Sequence, residues 1–556
     1  MKKIFLTLCM PLMLSTGALK AQVANYNVVP LPKSVVQPTA PGFVLGETTA
    51  ILYAEGNADM ERNAHFLADY VGEMTKLQLA CQQYGGKVKL AKAARGNILL
   101  TLDAKIQGEE AYRISITAKG VTISGKTAAG VFRGIQTLRK SLPVMQEKPK
   151  LVSLPAVLIQ DEPRFAYRGM HLDCSRHFYP VEFVKEYIDL IALHGMNKFH
   201  WHITDDQGWR FEVKKYPKLT RVGGWRSGTI VGRNSIVDDG QRYGGFYTQD
   251  ECREIVKYAA DRFVTVIPEI DMPGHMVAAL AAYPELGCTG GPYEVEHHWG
   301  VFADVLCPGK EQVFQFVEDI LGEVADIFPS KYIHIGGDES PRDRWKECPL
   351  CQKRIKDEGI KAEGRQSAED RLQGYFTKRV EKFLHAKGKR LIGWDELLGC
   401  DIDTTATIMS WRGAEPGSQG AMQGHDVIMS PVDPLYFDYY QTSKTWNEPT
   451  AFGGCNTLKK VYDFDPVADD LPADKRQHIL GAQANIWTEY ITCEPQIQYQ
   501  VLPRMAALAE VQWLHPEDKD YQDFKKRLPH LVDIYKLYNW TYRAKSLIVE
   551  SEDQEK

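Results

Sequence analysis

The sequence predicts a (β/α)8 barrel, or TIM barrel, preceded by a small α+β domain. After residue 163, eight short β-rich runs alternate with longer helical segments, which is the pattern of parallel βα units. Before that point, alternating β runs are followed by an amphipathic helix. We therefore divide the chain into a signal peptide at 1–21, an α+β domain at 22–163, the barrel at 164–547 and a disordered tail at 548–556.

The composition is that of a globular protein with more than one domain. The chain has 556 residues and a formal net charge of -5, and 44% of its residues are hydrophobic and 25% charged. This length accommodates two or three domains. Because no basic run or basic-aromatic stripe is present, we expect no nucleic-acid partner.

The first residues have the layout of a secretory signal peptide. Met1-Lys2-Lys3 is followed by an apolar stretch to about Leu14 and by small residues ending at Ala21, where we expect cleavage. The rival interpretation is a membrane anchor, but no apolar stretch reaches the length of a transmembrane segment. We expect export to the periplasm, the exterior or the cell surface of a bacterium. The sequence does not predict the oligomeric state.

Ten cysteines follow the predicted signal peptide. Export permits disulfides, and we expect one between Cys288 and Cys307, which bracket a Gly-rich segment. Cys348-Pro-Leu-Cys351 resembles half of a zinc site. Because no second such pair follows at zinc-ribbon spacing, a local disulfide or two free thiols is the favoured interpretation.

The α+β domain contains a hairpin and a helix. The alternating runs that begin at Tyr112 and Val121 are separated by Lys119-Gly120, which predicts an antiparallel pair. Residues 128–142 carry apolar residues at helical spacing, and Pro143 ends that helix. We place the junction with the barrel at Asp161-Glu162-Pro163.

Eight β-rich runs build the barrel, and seven of them finish at or near Asp, Glu, His or Trp, where packing alone favours Val, Ile or Leu. In a (β/α)8 barrel the chemistry gathers at the C-terminal ends of the strands. Recurrence of these residues at one end therefore predicts a shared site. The runs are 169–173, 198–205, 265–271, 332–338, 390–395, 407–411, 426–432 and 480–487.

The most informative run ends in Gly336-Gly337-Asp338-Glu339. Two glycines allow a tight turn after a buried strand and leave two carboxylates at the rim. Glycosidic cleavage uses a carboxylic acid on the leaving oxygen and a second group that stabilises the sugar cation. The structural alternative is an N-cap pair before a helix that starts near Arg342.

A second chemistry is compatible with the histidines. His200-x-His202, followed by His275, His334 and Asp338, has the ligand order of metal-dependent barrel amidohydrolases. The neighbouring Trp201 and Asp205-Asp206 provide hydrogen-bond partners for these imidazoles instead, and the aromatic residues of the site suit a sugar. We therefore expect neither a metal nor a cofactor.

Aromatic residues cluster at the last four strand ends. Together with Asp438 and Glu489 they predict a pocket for one monosaccharide unit, because indole rings pack on the apolar faces of sugars. A closed pocket implies exo action. The aromatic residues are Trp394, Trp411, Tyr436 and Trp487.

From about residue 163 to 513 the sequence closely resembles glycoside hydrolase family 20, the β-N-acetylhexosaminidases. Residues 22–163 are similar to the family's non-catalytic N-terminal domain, although that segment is less diagnostic. The stretches that carry the resemblance are Tyr167-Arg-Gly-Met-His-Leu-Asp-Cys-Ser-Arg-His-Phe178, His200-Trp-His-Ile-Thr-Asp-Asp206, Pro268-Glu-Ile-Asp-Met-Pro-Gly-His275, His334-Ile-Gly-Gly-Asp-Glu339 and Trp487-Thr-Glu489.

The resemblance implies retaining, substrate-assisted hydrolysis of terminal β-linked GlcNAc or GalNAc, in which the sugar's 2-acetamido oxygen attacks the anomeric carbon and forms an oxazolinium-like intermediate. Glu339 matches the general acid/base, and Asp338 matches the residue that orients the acetamido group. Further matches are Tyr436 on the acetamido oxygen, Trp394, Trp411 and Trp487 as walls, Arg168, Asp438 and Glu489 on the sugar hydroxyls, and Asp205 and His275 as a relay behind Glu339.

The substrate implied by the resemblance is an oligosaccharide or glycoconjugate with a terminal β-N-acetylhexosamine. Narrower relatives, such as a lacto-N-biosidase or a 6-sulfo-GlcNAc-specific hexosaminidase, keep the chemistry and change the pocket. The alternatives of another class are an inactive glycan-binding protein and, less favoured, a metal-dependent amidohydrolase.

Overall fold

The structure is a computed structural model that describes residues 22–85, 94–149, 151–400 and 402–547. The predicted signal peptide at 1–21 and the predicted tail at 548–556 lie outside the described residues. Among the helices that are described, none is long and apolar enough to cross a membrane.

The N-terminal domain is built on a seven-stranded mixed sheet. The predicted hairpin is confirmed, because the strands Tyr112–Thr117 and Gly120–Gly125 pair in antiparallel fashion. A two-stranded sheet joins Phe43–Leu45 to Val152–Leu154. In spatial order, the strands of the larger sheet are Ser34–Val36, Val157–Asp161, Tyr112–Thr117, Gly120–Gly125, Ile98–Leu102, Ala50–Ala54 and Ala80–Tyr84.

Two helices pack on this sheet, Ala58–Thr75 and Ala128–Ser141. The second is the helix that the sequence predicts, and it ends one residue earlier than expected. Thr127 caps its start by accepting a hydrogen bond from the Gly130 N–H at 3.3 Å. Nearly every residue of this helix is buried, since it lies between the sheet and other parts of the chain.

The expected barrel is confirmed. Eight parallel strands close on themselves in sequence order, and each coincides with a predicted run. Most of the predicted runs extend beyond the strands, and those extra residues form the rim of the barrel. The strands are Tyr167–Asp173, Lys198–His202, Thr265–Glu269, Tyr332–His334, Arg390–Trp394, Thr407–Ser410, Val427–Met429 and Ile479–Ala484.

Helices follow the strands and surround the barrel. The longer ones are Val181–Leu193, Gln249–Asp261, Glu311–Ile327, Ala368–Ala386, Ala414–Gln423, Arg504–Trp513 and Tyr521–Leu537. Short α-helices are Lys218–Arg221, Val277–Ala282, Asp343–Glu347, Pro349–Asp357, Val432–Leu435, Leu458–Asp463 and Glu494–Val501. The 3-10 helices are Pro284–Leu286, Asp395–Gly399, Thr445–Asn447, Arg476–His478, Pro516–Asp518 and Ala544–Leu547. Two short antiparallel pairs join Thr204–Asp205 to Gly208–Trp209 and Trp225–Arg226 to Tyr243–Gly244.

The barrel interior changes from apolar to polar along the strands. One buried cluster contains Tyr167, Ile267, Ile392, Trp394, Met409 and Ile428. Nearer the C-terminal ends, the strand register brings four polar residues side by side, namely Asp173, His202, Glu269 and His334. All four are buried. The polar end of the barrel is therefore the end on which a site can be built.

The N-terminal domain docks at the opposite end of the barrel, and Glu110 is central to this contact. The Glu110 carboxylate accepts hydrogen bonds from Arg133 Nε at 2.8 Å, from Arg168 Nη2 at 2.8 Å and from Asn197 Nδ2 at 2.9 Å. Arg168 stands near the start of the first barrel strand, and Asn197 directly precedes the second. Although burial opposes it, the charges of Arg168 and Arg133 lower the pKa of Glu110 to about 2.

Among the described residues, neither Cys288 nor Cys307 forms a disulfide. The expected disulfide between Cys288 and Cys307 is therefore wrong. Cys307 lies nearer to Cys348 and Cys351, with sulphur separations of 3.7 and 3.5 Å, and the sulphur of Cys288 lies 3.8 Å from that of Cys351.

We predict that Glu110→Gln destabilises the fold. The substitution leaves two buried guanidinium groups without their counter-charge, and breaking such a buried pair costs about 3–5 kcal/mol. Because the pKa of Glu110 is lowered from 4.5 to about 2, its contribution is fully present above pH 4.5 and is lost as the pH falls towards 2. Urea unfolding of the wild type and of Glu110→Gln at pH 7 and at pH 3 measures the difference in the free energy of unfolding.

The matched control is Glu109→Gln. Glu109 makes an exposed ion pair with Lys126, so its removal changes the free energy of unfolding by about 1 kcal/mol or less. Equal effects of the two substitutions, or a Glu110 effect that grows as the pH falls, would contradict the assignment of Glu110 to a buried charge cluster.

Candidate active site

A cavity of about 230 Å³ opens at the C-terminal ends of the barrel strands. This is smaller than the usual range of about 300–1,000 Å³ for drug-sized ligands, so the cavity suits a compact ligand. Its lining residues are Arg176, His275, Asp338, Glu339, Trp394, Trp411, Val432, Tyr436, Asp438, Tyr439, Phe452, Trp487 and Glu489.

Asp338 and Glu339 reach the cavity through a tight turn after the fourth strand. Gly336 and Gly337 have φ values of 65° and 96°, which favour glycine. A Cβ atom on Gly336 would lie 1.7 Å from Oδ1 of Asp271, so a side chain is excluded there. Glu339 itself has a φ of 43°, a conformation that costs energy in a non-glycine residue and clusters at functional sites.

The alternative role of Asp338-Glu339 as helix caps is not supported. The next helix, Asp343–Glu347, begins after Arg342, and that residue makes no side-chain capping hydrogen bond. The two carboxylates face the cavity instead.

His275 connects these carboxylates to two buried aspartates. Its Nδ1 atom lies 3.0 Å from Oδ2 of Asp206 and 3.2 Å from Oδ1 of Asp205, and its Nε2 atom lies 3.5 Å from Oε2 of Glu339 and 3.7 Å from Oδ2 of Asp338. The structure therefore brings together the residues that the sequence groups as a relay, and adds Asp206.

The local charges and burial shift the pKa values of His275, Asp338 and Glu339 in different directions. Burial alone would lower the pKa of His275, but the charge of Asp205 and hydrogen bonds to carboxylates raise it well above its usual value. Burial, assisted by the charges of Glu269 and Glu339, raises the pKa of Asp338 to about 6. The hydrogen bond from His275 lowers the pKa of Glu339. The cationic imidazole thus holds two carboxyl groups whose proton affinities differ.

Two of the aromatic walls are held by carboxylates. The Trp394 indole donates to Oε1 of Glu269 at 3.0 Å, and the Trp411 indole donates to Oε2 of Glu396 at 3.0 Å. These bonds fix the ring planes, so the walls are preformed.

The remaining walls complete an aromatic enclosure. The ring centroids of Trp394 and Trp487 lie 6.0 Å apart, those of Tyr436 and Trp487 lie 6.3 Å apart, and those of Trp411 and Tyr436 lie 6.4 Å apart with nearly parallel planes. The four predicted aromatic residues therefore surround one small space, which is the arrangement expected around an apolar sugar face.

The cavity lining includes buried carboxylate oxygens that no described residue satisfies. Among the described residues, Oδ1 of Asp338, Oδ1 of Asp438 and Oε2 of Glu489 are buried and have no hydrogen-bond partner. Burial raises the pKa of Glu489 to about 7 and that of Asp438 well above its usual value. Because buried polar atoms are normally hydrogen-bonded, these oxygens are positions where a ligand with hydroxyl or amide groups would bind.

Arg176 provides the guanidinium of the cavity. Its Nη2 lies 2.9 Å from Oδ2 of Asp205, its Nε donates to Gln207 at 3.1 Å, and its guanidinium lies 5.0 Å from the Trp487 ring centroid. Five N–H donors in a planar fork leave further donors for a ligand hydroxyl.

The structure corrects the role predicted for Arg168, which the family resemblance assigns to the sugar hydroxyls. It is fully buried, and it donates to the carbonyls of Gly195 and Phe165 and to Glu110. These partners lie at the amino end of the barrel, away from the cavity. Arg168 therefore joins the two domains, and Arg176 is the arginine of the site.

The buried histidines beneath the cavity are engaged with carboxylates. His202 has Nδ1 at 2.6 Å from Glu269 and Nε2 at 2.8 Å from Asp205, so neither ring nitrogen offers a free lone pair to a metal. His200 lies with Nε2 at 2.9 Å from Glu269 and accepts from Gln483 at its other nitrogen. This arrangement favours a structural hydrogen-bond network over the amidohydrolase ligand set.

Sequence reasoning missed several residues of the cavity. Arg176 stands three residues beyond the end of the first strand, within the family-like stretch, and its position after Asp173 was the available signal. Tyr439 and Phe452 come from a long segment after the seventh strand. No periodic pattern marks that segment, so its contribution follows only from the fold.

Comparisons with known proteins agree along most of the chain. The sequence model described as glycosyl hydrolase family 20, catalytic domain, matches residues 165–516, and the one described as glycosyl hydrolase family 20, domain 2, matches residues 25–162. A relative named beta-hexosaminidase from Porphyromonas gingivalis is 45% identical over 525 residues, which cover 92% of this chain and 64% of the relative. The chain thus spans less than two thirds of that relative's length.

Other relatives match over a larger share of their length. A beta-N-acetylhexosaminidase from Cellulomonas fimi is 31% identical over 90% of this chain and 92% of its own. The solved structure of a beta-N-acetylhexosaminidase from Streptomyces coelicolor superposes with a TM-score of 0.79 at 32% identity, covering 93% of this chain and 97% of that one. The structure of an exo beta-N-acetylglucosaminidase from Vibrio harveyi, solved with N-acetylglucosamine, superposes with a TM-score of 0.80 at 30% identity. The match covers 94% of this chain and 79% of that one.

Proposed function

We propose, because the chain belongs to glycosyl hydrolase family 20, that it is an exo-acting, retaining β-N-acetylhexosaminidase which removes terminal β-linked N-acetylglucosamine or N-acetylgalactosamine. The observation that carries the proposal is the pairing of Asp338 and Glu339 on one side of a small aromatic cavity. The names of the relatives support the same activity.

The position of the two carboxylates favours substrate assistance. In two-carboxylate glycosidases the groups flank the scissile bond from opposite faces of the sugar. Here Asp338 and Glu339 are consecutive, and both lie within 4 Å of the same nitrogen of His275. They therefore approach from one side, and the nucleophile must come from elsewhere. The 2-acetamido oxygen of the substrate is suitably placed to attack the anomeric carbon.

Glu339 is the group that we assign as general acid and base. Its side chain is 41% exposed, so it reaches the mouth of the cavity, where a leaving oxygen would lie. The hydrogen bond from His275 lowers its pKa. A sugar that fills the cavity would shield Glu339 from solvent, and desolvation raises the pKa of a carboxyl group towards the value that an acid catalyst needs.

Asp338 is the group that we assign to the acetamido function. Its side chain is only 15% exposed, and one of its oxygens is buried with no hydrogen-bond partner in the described part of the chain, which suits the acetamido N–H. An ionised Asp338 would also stabilise the positive charge that develops as the oxazolinium ring closes. Tyr436, which lies against Trp487, would donate its hydroxyl to the acetamido oxygen and aim it at the anomeric carbon.

The size of the cavity favours release of one sugar at a time. A volume of about 230 Å³ suits a single N-acetylhexosamine and leaves no room for a second ring beside it. This argues against a lacto-N-biosidase, which must enclose a disaccharide. The free oxygens of Asp438 and Glu489, with Arg176 beside them, would hold the hydroxyls of the terminal sugar, so the non-reducing end enters first.

We predict that the purified protein hydrolyses aryl β-GlcNAc or aryl β-GalNAc and that Glu339→Gln removes most of this activity. General acid–base catalysis contributes a factor of about 10²–10⁴ to the rate. The substitution should therefore reduce kcat/KM for a nitrophenyl glycoside by a factor in this range. A dinitrophenyl leaving group needs no proton, and its cleavage should fall much less. The aryl β-glucoside, which lacks the acetamido group, is the matched control and should not be cleaved.

An absence of hydrolysis of both N-acetylated substrates would overturn the proposed activity. An equal loss for the two leaving groups, or unchanged turnover of Glu339→Gln, would overturn the assignment of the acid. Rapid cleavage of the aryl β-glucoside would overturn substrate assistance.

We predict that Asp338→Asn lowers kcat by about 10²–10³-fold, because one stabilising contact to a developing charge is lost. The same substitution should weaken the binding of a cationic thiazoline analogue of the intermediate far more than it weakens the binding of free N-acetylglucosamine. Competitive inhibition constants for the two compounds measure this. Equal weakening of both would assign Asp338 to general sugar binding rather than to the intermediate.

We predict that His275→Gln shifts the pH profile of kcat, which reports the substrate complex, to higher pH. Ionisation of Asp338, whose pKa burial raises to about 6 in the free protein, should give the acidic limb, and loss of the proton of Glu339, whose pKa the bound sugar raises, the alkaline limb. Removing the adjacent positive charge raises both carboxyl pKa values, so both limbs should move up by about 1 unit or more. His298→Gln, an exposed histidine outside the cavity, is the control, and limbs that move down would refute the assignment.

A further inference from the structure

Four cysteines converge at a point outside the cavity. Cys288 follows the 3-10 helix Pro284–Leu286, Cys307 precedes the helix Glu311–Ile327, and Cys348 and Cys351 stand at the start of the helix Pro349–Asp357. All four sulphur atoms lie within 4.8 Å of one another. Two separate segments of the rim therefore supply one compact set of soft ligands.

The sulphur separations match tetrahedral metal coordination. A zinc–sulphur bond of about 2.3 Å in tetrahedral geometry places neighbouring sulphurs about 3.8 Å apart. The separations here are 3.8 Å for Cys288 and Cys351, 3.7 Å for Cys307 and Cys348, and 3.5 Å for Cys307 and Cys351. Since Cys307 and Cys351 each contact two other sulphurs, the group does not divide into two independent pairs.

The surroundings suit bound thiolates. Cys307 and Cys351 are fully buried, Cys348 is nearly so, and Cys288 is partly exposed, which leaves a route for an ion to enter. Cys348 precedes the first turn of a nine-residue helix and Cys351 lies within it, where the helix N-terminus favours negative charge.

Gly309 allows the backbone to close over the cluster. A Cβ atom at this position would lie 2.3 Å from the carbonyl carbon of Leu350 and 2.4 Å from the nitrogen of Cys351. The Gly309 N–H donates to the sulphur of Cys307, and such second-shell hydrogen bonds are typical of metal-bound thiolates.

We propose that Cys288, Cys307, Cys348 and Cys351 bind one structural Zn²⁺ ion. Four thiolates complete the tetrahedron and leave no open position, which is the form of a structural zinc site rather than a catalytic one. Binding releases the protons of the four thiols to solvent. The site does not use the residues of the cavity, so it is independent of the proposed activity.

The ion would join the segment after the third strand to the segment that follows Glu339. Two other contacts already connect these segments, a hydrogen bond of 2.9 Å from the Trp345 indole to the Leu306 carbonyl and an ion pair of 2.8 Å between Arg344 and Asp304. Zinc would therefore stabilise the part of the rim that carries the two carboxylates, without contacting the substrate.

The test measures metal content and cysteine oxidation state in the whole protein. Elemental analysis of freshly purified protein should give about one zinc per chain, and mass spectrometry should find the four cysteines reduced. Cys351→Ser should lose the zinc, whereas Cys493→Ser, which removes an exposed cysteine outside the cluster, should retain it. Export, which the sequence predicts, makes oxidation the competing outcome.

A second measurement does not depend on the folding of a variant. Wild-type protein is reduced, stripped with a chelator and titrated with Co²⁺ alone, and it should develop the intense visible absorption of tetrahedral cobalt thiolate and regain the unfolding temperature lost on stripping. Zn²⁺ should then displace the cobalt. Two disulfides among the four cysteines of the purified protein, or failure of reduced wild-type protein to bind either ion, would overturn the proposal.

Discussion

The buried carboxylate of Glu269 is the group on which the active-site rim depends. It contacts His200 and His202 from the second strand, His334 from the fourth, and the Trp394 indole from the fifth. Burial opposes a charge at this position, yet the three imidazoles lower the pKa of Glu269 well below its usual value. A buried charge of this kind is tolerable only when it is fully paired, so the strand ends are held in one arrangement.

A chain of polar contacts connects Glu269 to the cavity. His202 contacts both Glu269 and Asp205, and Asp205 contacts both His275 and Arg176. His275 and Glu339, whose side chains lie 3.5 Å apart, both have positive φ values, so the surrounding packing must maintain their backbone conformations. The cavity is therefore shaped by a continuous polar network, which also explains why so many polar residues are buried in the upper barrel.

The sequence predicts the eight strands and most of the site because seven of the eight strand ends carry an Asp, Glu, His or Trp at or near their last residue. It misplaces Arg168, since both Arg168 and Arg176 belong to one family-like stretch, and only the closed barrel shows that they lie at opposite ends of the first strand. It also misses the cysteine cluster. Cys288 and Cys307 lie nineteen residues apart in sequence, so their approach to Cys348 and Cys351 follows from the packing of two rim segments and not from any local spacing.

The position of the N-terminal domain determines what can reach the mouth of the barrel. Glu110 binds Arg168 and Asn197 at the amino end, so this domain lies on the far side of the barrel from Glu339. Under the proposed activity, a sugar at the end of a long glycan would therefore approach the mouth from the side opposite the described part of this domain, and the barrel loops would line its path.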